Sequence, residues 1–405
     1  MIRSNTDWPG VWFGVALGWL TAFHYFKLPP ALPVLLERLD YPTVLAGAFM
    51  SVFALAGLLL STWAGRRLRR FGPRQLVFAA LLLTLVGSGL GLLTPFYPDV
   101  MLVSRAIESV GYAILSVVGV VLAVGAAAPR DKSLAAALWA TWIPVGQVMA
   151  ALVSIPALEF GLWQLGWLVG MALCIPALIL NRTMGRRSGA MPAPAEPDDP
   201  VAHGQEPPLS LGYRLLPALV FALWSGQFIA YMTWLPEYLV KQQDVRAEQA
   251  ALVYLVVPVM LVAFNLLAGL LLRRGLSFTV LLVGALLVQG LLWLLLPSIE
   301  NPMIGLLCLA LYGAAAGTVP TCMFNLPHAM GLGPAASTRA FAALMVGRNL
   351  GALVGPILLP QVRRWADDWH GVAMVFAAIT MSAAIVGALM MTVGGTSDSA
   401  AQERR

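Results

Sequence analysis

Long apolar segments alternate with short polar ones along nearly the whole chain. A helix needs about 20 mostly apolar residues to cross the hydrocarbon core of a bilayer. The pattern predicts twelve such helices, at residues 11–36, 43–64, 75–95, 99–125, 134–158, 162–181, 214–239, 248–272, 276–297, 302–326, 338–361 and 370–393. The chain is therefore predicted to be an all-α membrane protein.

One connection between these segments is much longer than the others. Residues 182–212 contain three arginines and then a proline-rich, charged run, a composition typical of a flexible linker. We therefore predict two six-helix bundles joined by a cytoplasmic linker and followed by a disordered cytoplasmic tail. The predicted boundaries are 1–181, 182–212, 213–395 and 396–405.

The composition agrees with a membrane protein and argues against an enzyme. Of the 405 residues, 59% are hydrophobic and only 11% are charged, whereas a soluble protein carries about 25% charged residues. The sequence has no metal-ligand spacing, no phosphate-binding glycine loop and no nucleophile–base set. We therefore expect no cofactor, no metal and no catalytic residue. We also expect no nucleic-acid partner, because the basic residues that raise the pI lie in loops.

The basic residues also predict an orientation. If the N-terminus is cytoplasmic, most arginines and lysines outside the spans fall on the inner side, as the positive-inside rule requires. Both termini are then cytoplasmic, in a cell membrane and most simply a bacterial inner membrane. The strongest cluster is the segment from Gly65 to Arg74, which contains five arginines and is predicted to be a loop between the second and third spans.

The two halves carry signs of a duplication. Arg70 and Arg273 lie 203 residues apart, as do Gly72 and Gly275, and the Leu-Pro pairs at 32–33 and 235–236. Each match falls at the same point of its half. Parallel repeats of this kind place a binding cavity between the halves.

The layout and one motif resemble the major facilitator superfamily over essentially the whole chain. In that family, the loop between the second and third spans reads G-x-x-x-D-R-x-G-R-R, and here Gly65, Arg70, Gly72 and Arg74 fit. This sequence departs from the motif at Arg69, where the family has aspartate, and at Pro73, where the family has a basic residue. The segment from Arg105 to Gly111 looks like a loose form of the fourth-span motif of the family. Short permeases of the cyanate/nitroimidazole type look most similar. The resemblance implies two rocking bundles, with the loop acting at the inner gate.

Ionisable residues inside spans are costly and mark candidate sites. On the fourth span, Arg105, Glu108 and Tyr112 share a helix face through i, i+3, i+7 spacing. On the first, His24 and Lys27 are three residues apart. We expect Glu108 to accept a coupling proton and the other four to bind substrate. The alternatives are a structural Arg105–Glu108 pair and a Lys27 that snorkels to the outer interface.

Other candidates come from the fifth, seventh and eleventh spans. Aromatic and amide residues form a single helical stripe on the seventh span, which suits a cavity wall, and we expect Gln227 and Tyr231 to bind substrate. The alternative is packing plus an outer aromatic belt, which we prefer for Tyr238 and also consider for Trp234. Trp142 and Gln147 on the fifth span are expected to face the cavity. On the eleventh, Gly347, Gly351 and Gly355 predict close helix packing, and Arg348 is a further candidate anion ligand.

The charges within the spans favour an anion. The spans contain three cationic side chains, Lys27, Arg105 and Arg348, and one anionic side chain, Glu108. Their net charge is positive, which attracts anions into a cavity. The sequence thus predicts a monomeric, proton-coupled secondary transporter of a small organic anion. An exporter of apolar or cationic compounds and a non-transporting membrane sensor with the same fold are the alternatives.

Overall fold

The computed structural model describes residues 5–93, 95–187, 211–329 and 334–402, and helices account for nearly all of them, without a strand in those ranges. The helices are α1 Trp8–Phe26, α2 Leu28–Arg38, α3 Thr43–Leu93, α4 Pro98–Ala126, α5 Lys132–Ala140, α6 Trp142–Glu159, α7 Leu165–Arg187, α8 Leu211–Gln242, α9 Ala247–Tyr254, α10 Val256–Arg273, α11 Phe278–Leu295, α12 Pro302–Ala329, α13 Pro334–Ala366 and α14 Trp369–Gln402. The all-α prediction is confirmed.

Within the described residues, eleven segments are long and apolar enough to cross a membrane. They correspond one to one to the second through twelfth predicted spans, for example Pro98–Ala126 and Pro302–Leu326. The first predicted span is present as α1 followed directly by α2, with a break at Lys27. The twelve-span layout therefore holds approximately, and its first member is a broken helix.

Proline explains where three of the spans break. A proline has no N–H and its ring clashes with the carbonyl four residues earlier, so a helix is interrupted just before it. The first, fifth and eighth spans break three residues ahead of a proline. The pairs of break and proline are Lys27 and Pro30, Thr141 and Pro144, and Leu255 and Pro258.

The basic segment from Gly65 to Arg74 is more helical than a loop. The helix of the second span continues through Phe71, and only Gly72, at φ 75° and ψ 166°, leaves helical geometry inside α3. The loop prediction is therefore wrong for most of the segment, because arginine and leucine are good helix formers. A single left-handed residue, which glycine adopts without strain, is enough to reverse the chain.

Positive backbone φ angles support the duplication. Every described residue with positive φ has a counterpart in the matching loop of the other half. The pairs are Asp40 and Asp244 between the first and second spans, Gly72 and Gly275 between the second and third, and Gly161 and Asp367 between the fifth and sixth. Glycine and aspartate are residues that tolerate this region. The repeat is thus visible in backbone conformation as well as in sequence.

The contacts divide the chain into two compact units. The first comprises Met1–Asp199 and Thr233–Leu255, and the second comprises Pro200–Met232 and Val256–Arg405. This grouping follows contacts rather than chain order, so it places the end of α8 and all of α9 in the first unit. The predicted domain boundaries remain a prediction.

The glycine face of α13 packs closely on α8 within the second unit. A Cβ added at Gly347, Gly351 or Gly355 would lie 2.1, 2.0 and 2.0 Å from the backbone oxygens of Ala218, Ala222 and Gly226, respectively. Real Cβ atoms do not approach an oxygen so closely, so only glycine allows this helix contact. The predicted close packing of the eleventh span is confirmed.

Candidate functional site

A cluster of polar side chains fills the interior of the first unit, and we call it the ionic cluster. It consists of His24 and Lys27 near the end of α1, Ser88 on the second half of α3, and Arg105 and Glu108 on α4. Each of the five is at most 2% exposed. Both pairs expected from i, i+3 spacing therefore lie in one place, and Lys27 does not snorkel to an interface.

Glu108 is the centre of the ionic cluster. Its Oε1 accepts hydrogen bonds from Lys27 Nζ at 2.7 Å and from the Ser88 hydroxyl, and its Oε2 accepts one from Arg105 Nη1 at 2.6 Å. Both carboxylate oxygens thus face donors. Two of these donors are cationic, and charge-assisted bonds of this kind are the strong ones.

Lys27 has three donor hydrogens and three acceptors around it. Besides Glu108, its Nζ lies 3.0 Å from the Ser88 hydroxyl and 3.1 Å from Nδ1 of His24. Nε2 of His24 lies 3.2 Å from the carbonyl oxygen of Gly170, which can only accept. Nε2 therefore carries the hydrogen, Nδ1 offers a lone pair to the ammonium, and the imidazole is neutral.

Arg105 is held by backbone carbonyls as well as by Glu108. Nη1 and Nη2 donate to the carbonyl oxygens of His24 and Tyr25 at 2.8 and 2.9 Å, and Nε donates to that of Phe49 at 3.4 Å. The carbonyl of Tyr25 would meet the N–H of residue 29 in a continuous helix, but that residue is Pro29. The guanidinium thus donates hydrogen bonds to carbonyl oxygens at the broken end of α1, where the helix dipole also favours a cation.

The charges in the ionic cluster do not cancel. Lys27 and Arg105 are two cations, Glu108 is one anion and His24 is neutral, so the cluster carries one excess positive charge. Burying a charge away from water is costly. An incoming anion would offset the excess, and so would loss of a proton.

Two further predicted residues lie in a row of aromatic rings beside the ionic cluster. Tyr112 contacts Tyr25 at 5.4 Å between ring centroids and Trp142 at 5.8 Å, and Trp142 stacks on Trp139 at 5.5 Å. Gln147 is completely buried, one turn beyond Trp142 on α6. Roles in substrate binding for Tyr112 and Trp142 stay predictions.

A second cluster, which we call the amide cluster, occupies the interior of the second unit. It contains Gln227 on α8, Gln289 and Trp293 on α11, and Tyr312 on α12. Gln227 Oε1 accepts from Trp293 Nε1 and from the Tyr312 hydroxyl, both at 2.7 Å, and its Nε2 donates to Gln289 Oε1 at 2.5 Å. Tyr231 stacks on Tyr312 at 3.9 Å between ring centroids.

Of packing plus an outer aromatic belt, the alternative for Tyr238 and Trp234 on the seventh span, the belt is wrong. Trp234 and Tyr238 are only 3% and 2% exposed, so their rings are enclosed by protein rather than lying at a lipid–water boundary. The whole stripe of α8 is therefore internal, and a period of three and four residues alone does not say which neighbour covers it.

The remaining predicted residues are members of neither cluster. Arg348 belongs to the second unit, is half-buried and donates to Asn349 Oδ1 at 3.2 Å. Arg70 and Arg74 are exposed, and no described carboxylate pairs with them. The guanidinium of Arg70 instead lies 5.3 Å from the ring of Phe71. The gating roles of Gly65, Arg70, Gly72 and Arg74 stay predictions, and the Arg69 side chain lies outside those described.

Outside the spans, one buried hydroxyl joins two loops. The Tyr41 hydroxyl donates to the backbone carbonyl of Pro95, and burial raises the pKa of Tyr41 to about 12. Elsewhere in the described part of the chain, no group of His, Cys, Asp and Glu side chains is arranged to hold a metal ion.

Several members of the clusters were missed by the sequence reasoning. These members are Ser88 on the third span and Gln289 and Trp293 on the ninth, and each stands among mostly apolar neighbours. The only sequence signal is that a lone amide such as Gln289 is rare in hydrocarbon. It is not strong enough to join residues from different spans.

The two clusters occupy matching places in the repeat. Each draws on the first, third and fourth spans of its half, and each touches the sixth, through Gly170 in one case and through Phe376 in the other. His24 and Gln227 are 203 residues apart, and Glu108 and Tyr312 are 204 apart. One half thus holds charges where the other holds neutral hydrogen-bonding groups.

The fold and the buried clusters define a class, the polytopic helical membrane proteins built from two repeated six-span halves. The sequence model of the Major Facilitator Superfamily matches residues 13–356, and the chain belongs to this family of membrane transporters. No curated protein sequence matches the chain significantly.

Solved structures agree with the family assignment. A D-xylose-proton symporter superposes with a TM-score of 0.73 at 16% identity, covering 95% of this chain and 97% of its own. A bacterial homologue of the human lysosomal transporter Spinster, in an inward-facing and occupied conformation, gives 0.67 at 12% identity, covering 95% and 94%. The nucleoside transporter NupG gives 0.67 at 15% identity, covering 94% and 99%. At these identities the likeness shows the fold alone.

Proposed function

We propose that the protein is a proton-coupled secondary transporter of a small organic anion in a bacterial inner membrane. The observation that carries this proposal is the fully buried ionic cluster, with Glu108 between two cations and one positive charge in excess. A buried group that can gain or lose a proton, next to an uncompensated cation, links anion binding to protonation through their shared charge.

The partners of each cation support different roles for them. Arg105 is tied to three backbone carbonyls and so is a fixed part of the helix junction. Lys27 is held only by side chains, namely His24, Ser88 and Glu108, and by the face of the Trp167 ring at 4.8 Å. When Glu108 takes up a proton it ceases to pair with Lys27, and the ammonium is then the cation that a substrate carboxylate or similar anion can engage.

Uptake into proteoliposomes tests this function. A panel of radiolabelled mono- and dicarboxylates, offered with and without an inward-directed proton gradient, should contain at least one whose accumulation requires the gradient. Glu108→Gln should abolish accumulation above equilibrium, and Glu159→Gln is the matched control because Glu159 is exposed at the end of α6. Gradient-driven accumulation that persists in Glu108→Gln would remove the proton role from this residue.

A second candidate is an exporter of apolar or cationic compounds. The amide cluster favours it, because that cluster consists of amide and aromatic groups without a formal charge and lies against stacked rings. In this case Lys27 would be structural. Drug resistance conferred on a pump-deficient host and unaltered by Lys27→Ala would support the exporter, and loss of gradient-driven anion uptake in Lys27→Ala would support the first proposal.

A further inference from the structure

The amide cluster contains a hydrogen-bond donor that has no acceptor. Nε2 of Gln289 is buried and has no hydrogen-bond partner among the described residues, although the side chain is completely enclosed. Buried polar atoms in folded proteins are nearly always paired. Leaving one unpaired costs about 1–3 kcal/mol. An orphaned donor of this kind therefore points to a missing acceptor.

The orientation of the Gln289 amide follows from Trp293. The indole N–H of Trp293 can only donate, so the Gln227 atom 2.7 Å from it must be the carbonyl oxygen. The other end of the Gln227 amide is then an NH₂ group, and it donates to Gln289. The Gln289 atom that receives this bond must be its oxygen, which leaves the NH₂ group of Gln289 as the unpaired end. The hydrogen-bond pattern therefore fixes the orientation of the Gln289 amide and identifies its NH₂ group as the unpaired one.

The rings around the amide cluster are flat and closely stacked. Tyr231 and Tyr312 stack with an interplanar angle of 17°, and Trp293 stacks on Phe376 at 5.0 Å and 23°. The ring of Tyr231 meets that of Trp293 edge-on at 4.9 Å. Such an environment favours a planar organic body, because aromatic rings prefer stacked or edge-to-face contacts with one another.

The matching ionic cluster shows what is unusual about this arrangement. In the first unit every hydrogen of Lys27 has an acceptor, and both oxygens of Glu108 have donors. In the second unit the equivalent interior has a donor left over and no formal charge to compensate. At matching places in the repeat, the ionic cluster therefore carries a net charge, and the amide cluster carries an unpaired donor without a formal charge.

We propose that the amide cluster is a binding subsite for an acceptor oxygen of a planar organic ligand, a carbonyl or carboxylate oxygen that receives hydrogen bonds from Nε2 of Gln289. The inference deepens the proposed function and rests on it, since it names one binding subsite within the second unit and leaves the roles proposed for Lys27 and Glu108 unchanged. It concerns binding alone, so it stands or fails independently of coupling.

Binding of defined probes to the purified, detergent-solubilised full-length protein tests the subsite. The probes are benzoate and benzamide, which share a planar ring and a carbonyl-type acceptor but differ in charge, and benzylammonium, which has the ring and only donors. We expect benzoate, benzamide or both to raise the melting temperature in a dose-dependent way, with no rise for benzylammonium. The pair of acceptor probes shows whether the oxygen is anionic or neutral.

Three substitutions locate the effect. Gln289→Met keeps the length and removes the donor, and Gln289→Glu places acceptor oxygens in its stead. Each should weaken the apparent affinity for the acceptor probes about tenfold or more, as loss of roughly 1.4 kcal/mol would give. Trp293→Phe removes the N–H that orders both amides and should weaken the same probes. Gln242→Met, at the exposed end of α8, is the control that should bind as the wild type does.

The variants must first elute as monodisperse species and melt cooperatively without ligand. If Gln289→Met fails this check, Gln289→Glu and Trp293→Phe carry the comparison. The proposal is overturned if no acceptor probe stabilises the wild type, in which case only water meets the orphaned amide. Equal stabilisation of the wild type and the folded Gln289 variants overturns it as well. Neither result affects the uptake test of Glu108, because that test measures accumulation driven by a proton gradient and not the binding of these probes.

Discussion

Neutralising Glu108 should destabilise the protein, and removing Lys27 as well should restore much of what is lost. In the wild type, Lys27 and Arg105 share one carboxylate, and the ionic cluster has a charge of +1. Glu108→Gln raises that charge to +2 and leaves two buried cations facing a neutral amide. Breaking a buried pair by removing one partner costs roughly 3–5 kcal/mol.

The double variant Lys27→Met/Glu108→Gln returns the charge to +1. Arg105 then keeps its three carbonyl acceptors and can donate to the new amide oxygen, so no second cation opposes it. We expect the double variant to recover more than half of the stability lost in Glu108→Gln. Residues in direct contact show coupling energies of about 0.5–3 kcal/mol, which is large enough to measure.

The assay is thermal unfolding of the purified protein in detergent, followed by intrinsic tryptophan fluorescence. The wild type, both single variants and the double variant complete a cycle, and Glu159→Gln serves as the control for loss of an exposed carboxylate. Glu108→Gln should melt well below the wild type, with the double variant between them. A double variant no more stable than Glu108→Gln, or a Glu108→Gln that melts with the wild type, would refute the charge account of the cluster.

Three further substitutions have expected outcomes. Gly351→Ala should lower the melting temperature strongly, because its Cβ would lie 2.0 Å from a backbone oxygen, whereas Gly284→Ala, which meets nothing within 4 Å, should be neutral or slightly stabilising in the same assay. Gly72→Ala should cost about 1–2 kcal/mol because its φ is +75°, while the helical Gly65→Ala should not destabilise. Arg105→Met should reduce the yield of folded protein, scored by fluorescence-detected size exclusion, more than Lys27→Met does. The reason is that Arg105→Met also removes the donor to two carbonyl oxygens at the end of α1.

The spans could be predicted because their signal is local. A run of apolar residues long enough to cross a bilayer needs no knowledge of its neighbours, and the tenth predicted span, 302–326, has the same limits as the segment Pro302–Leu326. The pairs on a single helix were also accessible, since i, i+3 spacing brings His24 to Lys27 and Arg105 to Glu108 on any helix.

Contacts between spans could not be predicted in the same way. The sequence does not say that Lys27 meets Glu108, because that contact depends on how α1 packs against α4. The tie between Arg105 and α1 depends on a carbonyl freed by Pro29, which becomes visible only when the break and the guanidinium are seen together. Gln289 was overlooked for the same reason, since a lone glutamine carries no record of its partner.

The helical extension through Gly65 to Phe71 shows a different limit. The charge of this segment predicts a place outside the hydrocarbon, but charge does not distinguish a loop from the end of a helix. Arginine is a good helix former, and the reversal needs only Gly72. A basic cluster between two spans therefore indicates a membrane face more reliably than it indicates irregular structure.

The central claim is that Glu108 couples a proton to the movement of an organic anion. The most direct measurement compares two kinds of flux in proteoliposomes, for the carboxylate that the uptake panel identifies. One is accumulation driven by a proton gradient, and the other is counterflow, in which substrate exchanges without a gradient. Glu108→Gln should lose gradient-driven accumulation and retain counterflow. Accumulation at the wild-type level in a folded Glu108→Gln variant would contradict the account.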